Sequence, residues 1–296
     1  MRDPAFRKLK QFLSLHWKEK APLLLACSGG PDSKALLYLL FEAQKFFNLE
    51  IQVAHIDHRW RKESRQEAEI LQKEVEHLGL RFHLRTLEDV PSKEEAAREA
   101  RYAQLFEIAA EIGAQAIVLG HQMEDQAETV LKRVLEGASL PSCCGMKEVS
   151  GLLWRPLLAV SKKELTAYLD KRKISYFNDP TNLDAKYLRG RFRTSIIPQL
   201  EAAFGKSIVK NLCLLGQRAQ KLEEHFTKAS ESLKKVSDLQ ACDEALLEFF
   251  LKSWSKRQGV HLSREALPVF AKKITAQDPE TLVELALKIQ NDYLSR

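Results

Sequence analysis

Short apolar runs alternate with segments of helical periodicity between residues 23 and 173. Leu23–Cys27 is a continuous apolar run without a helical period, which predicts a buried strand of a parallel sheet. Further strands are predicted at 50–56, 80–85, 116–119 and 152–154, and helices after residue 33 and at 65–78, 92–112, 124–136 and 161–173. Strands that alternate with helices form βαβ units with right-handed crossovers. The pattern therefore predicts an α/β fold built on a doubly wound parallel sheet.

The character of the chain changes after Pro198. Residues 200–296 are rich in charge and carry Leu and Ala at helical spacing, as in LCLLGQRAQKLEEHF. The only strand signal is a weak apolar run at 246–251. We therefore expect two domains, an α/β domain over 1–198 and an all-α domain over 199–296.

Three polar stretches follow predicted strands directly: Ser28–Ser33, His55–Arg61 and His121–Asp125. Ligands of such sheets bind at the carboxyl ends of the strands. Because the carboxyl ends of parallel strands share one edge of the sheet, we expect these three stretches to converge there.

The first stretch, SGGPDS, joins a strand to a helix that Asp32 or Ser33 could cap. Gly29 and Gly30 allow positive φ and the close approach of a ligand, and the free N–H groups of a helix start attract an anion. The loop is neither a Walker motif nor a dinucleotide motif, because Ser33-Lys34 is reversed and three spaced glycines are absent. A phosphate-binding turn is the prediction.

The other two stretches carry titratable side chains. His55 and His58 are a weak metal pair without a third neighbouring ligand, whereas these histidines and Arg61 suit a nucleotide phosphate better. Asp125 lies at a helix start, where an acid favours the dipole. It could equally help to hold Mg²⁺ on a nucleotide, since Mg²⁺ binds one or two carboxylates together with phosphates.

Alternating arginines at 189, 191 and 193 follow a turn-forming segment at 179–182. They could form an ordinary solvated face, but contact with RNA or phosphate is favoured. The net charge of +6 and the pI of about 8.9 permit a polyanionic partner. The five cysteines form no C-x-x-C pair, and no membrane-spanning run or signal peptide is seen, so a cytoplasmic location is expected.

Taken in order, the motifs resemble one family. SGGPDS is similar to the pyrophosphate loop of the N-type ATP pyrophosphatases, which have a Rossmann-like fold. HIDHRWRKES, AREARY, GHQMEDQAETVL, RPLL and the block from NDPTN to IIPQL resemble the successive motifs of the tRNA(Ile)-lysidine synthetase family. Departures from that pattern occur at Gln122, Glu124, Glu136 and Gly190.

The resemblance implies an ATP- and Mg²⁺-dependent ligase that attaches free L-lysine to C2 of the wobble cytidine of tRNA(Ile) with a CAU anticodon. The implied catalytic residues are Asp32, Asp125 and His121, with Asp125 also on the metal. The implied ATP site comprises Ser28, Gly29, Gly30, Pro31, Asp32, Ser33, His55, His58 and Arg61. The implied tRNA contacts are Arg98, Arg189, Arg191 and Arg193. The base that deprotonates the lysine amine is open among Asp125, His55, His58 and His121, and the oligomeric state is open as well.

Three other functions share parts of this pattern. The first is tRNA 2-thiolation, which usually requires a C-x-x-C pair, or a cysteine that carries a persulfide, near the active site. The second is a small-molecule amide synthetase, which would not require the basic block at 189–193. The third is a non-enzymatic nucleotide- or RNA-binding module, which would not require both Asp32 and Asp125.

Overall fold

The computed structural model describes residues 3–18, 21–57, 59, 63–87, 94–177, 187–233, 236–260, 262–263 and 265–276. Its helices are α1 Pro4–His16, α2 Pro31–Ala43, α3 Ser64–His77, α4 Glu94–Glu111, α5 Met123–Leu135, α6 Lys162–Arg172, α7 Leu188–Arg191, α8 Ile197–Phe204, α9 Ile208–Ala229, α10 Val236–Leu239, α11 Leu247–Arg257 and α12 Ala266–Thr275. A π-helical turn, Phe192–Ile196, joins α7 to α8. The weak strand signal at 246–251 is wrong, because these residues lie mostly in α11.

The strands are β1 Leu23–Ala26, β2 Ile51–Asp57, β3 Arg81–Thr86, β4 Ala116–Leu119, β5 Val149–Ser150 and β6 Leu153–Trp154. They form one sheet in the order β3-β2-β1-β4-β6-β5. All neighbours pair in parallel except β5 and β6, which form an antiparallel hairpin that the sequence pattern did not predict. The order reverses direction between β1 and β4, which is the switch point where such sheets bind ligands.

Helices cover both faces of the sheet, which confirms the predicted fold class. Leu23 and Leu25 of β1 point into a core shared with α1, α2, α3 and α6, whereas Leu24 points into a second core with α4. This alternation follows from the two-residue period of a strand. A strand buried on both faces must be apolar at every position, as β1 is.

The chain forms two compact units. The first comprises the described parts of Met1–Lys132 and Met146–Cys213, and the second those of Arg133–Gly145 and Leu214–Arg296. This partition differs from the boundary expected at 198/199. Residues beyond Pro198 belong to the first unit because Val209 and Leu212 pack on a small core of Leu131, Phe192 and Ile197.

The second unit has a helical core of its own, in which Leu247, Leu251 and Trp254 of α11 pack against Phe270 and Ile274 of α12. Its expected role in supporting tRNA stays a prediction. Among the helices that the structure describes, none combines the length and the apolar character needed to cross a bilayer.

A buried ion pair links the helix after the phosphate loop to α3. The ammonium group of Lys34, which is only 2% exposed, contacts the carboxylate of Glu74. The hydroxyl of Tyr38 donates to the other oxygen of this carboxylate at 2.8 Å. Breaking a buried pair is costly because it leaves one charge without a partner, whereas replacing both partners by apolar groups is often nearly neutral.

We therefore expect Glu74→Leu to lower the free energy of unfolding by about 3 kcal/mol in urea titrations. The double variant Lys34→Met/Glu74→Leu should recover most of that loss. Arg85→Met, which breaks the exposed pair with Glu111, should cost less than about 1 kcal/mol and serves as the control. Equal losses in the single and double variants would show that the Lys34 charge is not the source of the effect.

Candidate active site

The phosphate loop runs from the end of β1 to the start of α2. The helix begins at Pro31, with Gly30 as the N-cap residue and no side chain capping it. The expectation that Asp32 or Ser33 caps the helix is wrong, because Pro31 is preorganised for the first helical position and starts the helix earlier. Both side chains therefore lie in the first helical turn. The uncapped N–H groups of this turn suit a phosphate.

Hydroxyl groups brace the inside of the loop. The hydroxyl of Ser33, which is buried, donates to the carbonyl of Gly30 at 3.1 Å and lies 3.2 Å from the hydroxyl of Ser28. The thiol of Cys27 lies 3.6 Å from the same Ser33 oxygen. The loop is therefore held in one shape by its own side chains before any ligand binds.

Two outside contacts hold the loop backbone. The N–H of Phe177 donates to the carbonyl of Gly29 at 3.0 Å, and the Phe177 ring covers this glycine. A Cβ atom at Gly29 would lie 2.4 Å from Cδ2 of Phe177, and the φ angle of Gly29 is +81°. On another side, a Cβ atom at Gly120 would lie 3.1 Å from the backbone of Asp32 and Ser33. Glycine is required at position 29 by both conformation and space.

Asp32 carries a carboxyl oxygen, Oδ1, that is buried without a hydrogen-bond partner among the described atoms. Burial, and after it the charge of the neighbouring Asp125, raise the pKa of Asp32 to about 6. Lys162 and Arg193 oppose this shift. An unpartnered, partly protonated carboxyl group beside a phosphate loop is a candidate for a cation or ligand contact.

Asp125 and Glu128 share the guanidinium group of Arg193. Nη2 of Arg193 donates to Asp125 at 2.8 Å, while its Nε and Nη2 donate to the two oxygens of Glu128 at 2.5 and 3.1 Å. The side chain of Glu128 is only 1% exposed, and burial raises its pKa against the opposing effect of Arg193. The three arginines at 189–193 were expected to behave alike, but Arg193 points into the acidic cluster, whereas Arg191 is exposed and Arg189 is half-buried.

The start of α5 is built from residues that depart from the family pattern. The side-chain oxygen of Gln122 accepts the N–H of Glu124 at 2.6 Å, and a carboxylate oxygen of Asp125 accepts the N–H of Gln122 at 3.1 Å. This reciprocal arrangement resembles a capping box. Glu124 also accepts the N–H of Lys162 at 2.9 Å, next to the start of α6. The departures at Gln122 and Glu124 therefore preserve the position of Asp125.

The two described histidines of the site are neutral near pH 7. His55 is buried, and its Nδ1–H donates to the carbonyl of Cys27 at 2.8 Å, which ties β2 to the phosphate loop. Burial lowers the pKa of His55. Burial also lowers the pKa of His121 to about 4, although Asp125 opposes that shift. Nδ1 of His121 is buried without a partner within the described part of the chain.

The structure brings most of the predicted site residues to one edge of the sheet. The phosphate loop follows β1, His55 lies near the carboxyl end of β2, and His121 and Asp125 follow β4; these three strands are adjacent. His58 and Arg61 lie outside the described residues. Arg98 lies on α4 beside the ring of Tyr102. The sequence reasoning missed Phe177 and the pairing of Glu128 with Arg193, because no local pattern reports either contact.

The carboxylates of the site suit Mg²⁺ only in combination with a nucleotide. Within the described ranges, no group of three His, Cys, Asp or Glu side chains could hold a metal ion alone. Asp32 and Asp125 are nevertheless close enough to influence each other, and Oδ1 of Asp32 is unpartnered. Since Mg²⁺ is usually held by one or two carboxylates together with substrate phosphates, the site fits a metal that arrives with a nucleotide.

A family model described as the PP-loop domain matches residues 1–200. The tRNA(Ile)-lysidine synthase of Chlamydia pneumoniae is 38% identical over 291 residues, covering 92% of this chain and 89% of that protein. The chain belongs to the tRNA(Ile)-lysidine synthase family. The tRNA(Ile)-lysidine synthase of Protochlamydia amoebophila is 33% identical over 95% of this chain, which spans 66% of that longer protein.

A solved structure, the U34-tRNA thiolase NcsA from Methanococcus maripaludis with its [4Fe-4S] cluster, superposes with a TM-score of 0.62. The match covers 73% of this chain and 78% of that one at 18% sequence identity. At this identity the likeness shows the fold alone. The PP-loop domain binds ATP. The assignment of its loop to Ser28–Ser33 stays a prediction from the sequence.

Gly29→Ala should weaken ATP binding and lower the melting temperature, because the new Cβ atom meets the Phe177 ring and φ is positive. Gly113→Ala is the matched control. Its φ of +63° imposes similar strain, but nothing lies within 4 Å of the added atom. Strain alone should cost on the order of 1 kcal/mol. Calorimetry should show a clearly larger drop in melting temperature for Gly29→Ala than for Gly113→Ala. Equal drops would contradict the steric role of Phe177.

Asp32→Asn should stabilise the protein at pH 7.5 when ATP and Mg²⁺ are absent. The raised folded-state pKa means that the folded carboxyl group binds more protons than the unfolded one between about pH 4 and 6. The free energy of unfolding of the wild type therefore falls as pH rises through that window. Asparagine does not titrate, so the variant shows no such fall. We expect the free energy of unfolding of Asp32→Asn, relative to wild type, to be higher at pH 7.5 than at pH 4 by an amount on the order of 2 kcal/mol, measured by urea unfolding at both pH values. A gain that does not change with pH would contradict the assignment.

Proposed function

We propose that this protein attaches L-lysine to C2 of the wobble cytidine of tRNA(Ile) with a CAU anticodon, with cleavage of ATP to AMP and pyrophosphate. Membership of the family over most of the chain supports this activity. The observation that carries the proposal is a pair of carboxylates, Asp32 within the phosphate loop and Asp125 beside it, at the switch point of the sheet. This is the arrangement that nucleotidyl transfer needs.

The first step activates the cytidine. The C2 oxygen attacks the α-phosphorus of ATP, the bond to the β-phosphate oxygen breaks, and pyrophosphate leaves. The uncapped N–H groups at the start of α2 would hold the departing phosphates, and their position is fixed in advance by Ser33 and Phe177. Donors that are preorganised around developing charge lower the barrier without reorganisation during the reaction.

Asp32 and Asp125 would hold Mg²⁺ on the nucleotide phosphates. When bound, the ion neutralises phosphate charge and stabilises the leaving group. Binding at Asp32 would also require that carboxyl group to ionise, so its raised pKa makes metal binding less favourable as pH falls below about 6. In the free protein, Arg193 supplies the positive charge beside Asp125 and Glu128.

The second step forms the new C–N bond. The ε-amine of lysine attacks C2, the bond from C2 to the adenylate oxygen breaks, AMP leaves, and the amine loses a proton. An unperturbed lysine amine has a pKa of about 10.4, so its neutral form must be favoured by the site. His121 is a poor proton acceptor because its pKa is about 4. His55 donates its Nδ1–H to Cys27 and keeps Nε2 as an acceptor, so His55 and Asp125 remain the candidates for the base among the described residues.

The cysteines do not favour the thiolation alternative. Cys27, the one next to the phosphate loop, is buried, and burial raises the pKa of its thiol. Burial raises the pKa of Cys213 as well, to about 11, with Glu124 adding to the effect. A nucleophilic or metal-binding cysteine needs a lowered pKa, so neither is suited to carry sulfur. The expected cytoplasmic location stays a prediction.

The direct test incubates the protein with ATP, labelled lysine and tRNA(Ile) transcripts that carry a CAU anticodon. Label should enter the RNA only when ATP is present, and AMP and pyrophosphate should form in equal amounts. A transcript in which cytidine 34 is replaced by uridine should stay unlabelled. Release of AMP with a labelled small molecule instead of labelled RNA would favour an amide synthetase.

Asp125→Asn should lower the rate of lysine transfer by at least about a hundredfold, because a ligand for the nucleotide-bound metal is lost. Its melting temperature should fall only modestly, because the amide oxygen can still accept the N–H of Gln122 and Arg193 keeps its pair with Glu128, although the bond from Arg193 to Asp125 is lost. Asp170→Asn makes the same chemical change at an exposed position on α6 and should be fully active. Wild-type rates in Asp125→Asn would assign this residue to helix capping alone.

A further inference from the structure

A cluster of positive charge surrounds Tyr102 beside the candidate active site. Arg98 and Arg101 lie on α4 with their guanidinium carbons 5.5 and 5.7 Å from the centre of the Tyr102 ring. Arg155 follows β6 and lies beside the Tyr102 hydroxyl. We refer to Arg98, Arg101 and Arg155 as the arginine cluster. Only Arg98 was singled out from the sequence as an RNA contact.

The arginine cluster has no acidic partner in the described part of the chain. None of its members forms an ion pair there, although six other ion pairs are present. Arg155 is only 6% exposed, and its Nη1 donates to the carbonyl of Lys147 at 2.9 Å. Its Nε and the hydroxyl of Tyr102 are both buried without a partner.

Burial of charge without an opposite charge is expensive, and unpartnered buried donors add to the cost. The effect is visible in the guanidinium groups, since burial lowers the pKa of both Arg101 and Arg155. A bound anion would remove this cost by supplying the missing charge and accepting the free donors. Guanidinium groups are particularly suited to phosphate and carboxylate oxygens.

The arginine cluster adjoins the reacting groups. His121, which follows β4, is influenced by Asp125 and by all three arginines. Since β4 and β6 are parallel neighbours, the residues that follow them lie at the same edge of the sheet as the phosphate loop. An anion bound here would therefore lie near the nucleotide that is activated by ATP.

The chemistry of the cluster favours the backbone of RNA over a single carboxylate. One carboxylate would leave two of the three guanidinium groups without a counter-charge, whereas a nucleotide chain presents successive phosphodiesters. The Tyr102 ring, placed between two arginines, has Phe106 at 6.5 Å between ring centres, and Phe106 is 41% exposed. Alternating arginine and aromatic side chains are typical of surfaces that hold single-stranded RNA by phosphate contact and base stacking.

We propose that Arg155, Arg101, Arg98 and Tyr102 bind the phosphodiesters that flank the reactive cytidine, and so draw that nucleotide into the active site. This inference rests on the proposed function, because it takes the substrate to be the anticodon loop of a tRNA. It adds Arg101, Tyr102 and Arg155 to the RNA contacts. It also gives the buried, unpartnered Nε of Arg155 a ligand.

The test is a double-mutant cycle between protein and RNA. The probe is an anticodon stem-loop with a CAU anticodon, made either unmodified or with neutral methylphosphonates at the two linkages that flank cytidine 34. A third RNA carries the methylphosphonates in the stem. The proteins are wild type, Arg155→Gln, Tyr102→Phe and, as a control, Arg81→Gln. Arg81 is exposed at the amino end of β3, away from the edge that carries the site.

For wild type, the flanking methylphosphonates should weaken binding by about tenfold or more, and the stem methylphosphonates should have little effect. Arg155→Gln should bind the unmodified RNA about tenfold more weakly, with a salt slope reduced by roughly 0.7, and should lose most of its sensitivity to the flanking methylphosphonates. Tyr102→Phe removes one hydroxyl group and should show a smaller effect of the same kind, which keeps the test decisive if Arg155→Gln folds poorly.

Full sensitivity of both variants to the flanking methylphosphonates would overturn the proposal. So would unchanged RNA affinity with a raised KM for lysine, which would assign the arginine cluster to a carboxylate. Because binding needs no turnover, the result is separate from the proposed function. If lysine is transferred but the protein variants and the methylphosphonates act independently, only the proposed RNA site is contradicted. If their effects on binding are coupled but no lysine is transferred, only the proposed reaction is contradicted.

Discussion

The placement of charge at the carboxyl edge of β1 and β4 is the constraint on which the site depends. Asp32 is partly buried beside Asp125, whose charge adds to the effect of burial in raising the pKa of Asp32. Arg193 pairs with Asp125 and Glu128 but leaves Oδ1 of Asp32 without a partner among the described atoms. The surrounding fold must hold these groups together at a cost in stability. Under the proposed function, binding of a metal-nucleotide complex would offset that cost.

The fold meets this constraint with contacts that lie outside the charged groups. Phe177 holds the carbonyl of Gly29, His55 holds that of Cys27, and Ser33 holds that of Gly30. The first two contacts come from other elements and the third comes from a side chain of the loop itself. Together they fix a loop that its two glycines alone would leave flexible.

The departures from the family pattern at Gln122 and Glu124 show that the position of Asp125 matters more than the identity of its neighbours. Gln122 completes a reciprocal cap with Asp125, and Glu124 reaches the backbone of α6. Each accepts a hydrogen bond from a backbone N–H group. The start of α5 is thereby anchored on two sides while its carboxylate stays at the edge of the sheet.

The sequence by itself predicted the alternation of strands and helices from residue 23 to residue 173, apart from the β5–β6 hairpin, and the convergence of the Ser28–Ser33 loop with His55 and the His121–Asp125 stretch. These features depend on local periodicity, turn chemistry and the rule that parallel strands share an edge, all of which can be read from neighbouring residues. Only the tertiary structure decided that Arg193 pairs with Asp125, 68 positions away, and that Arg155 is buried without an acid. An arginine in a polar stretch looks the same whether it is solvated or buried, because its burial depends on residues that are distant in the chain.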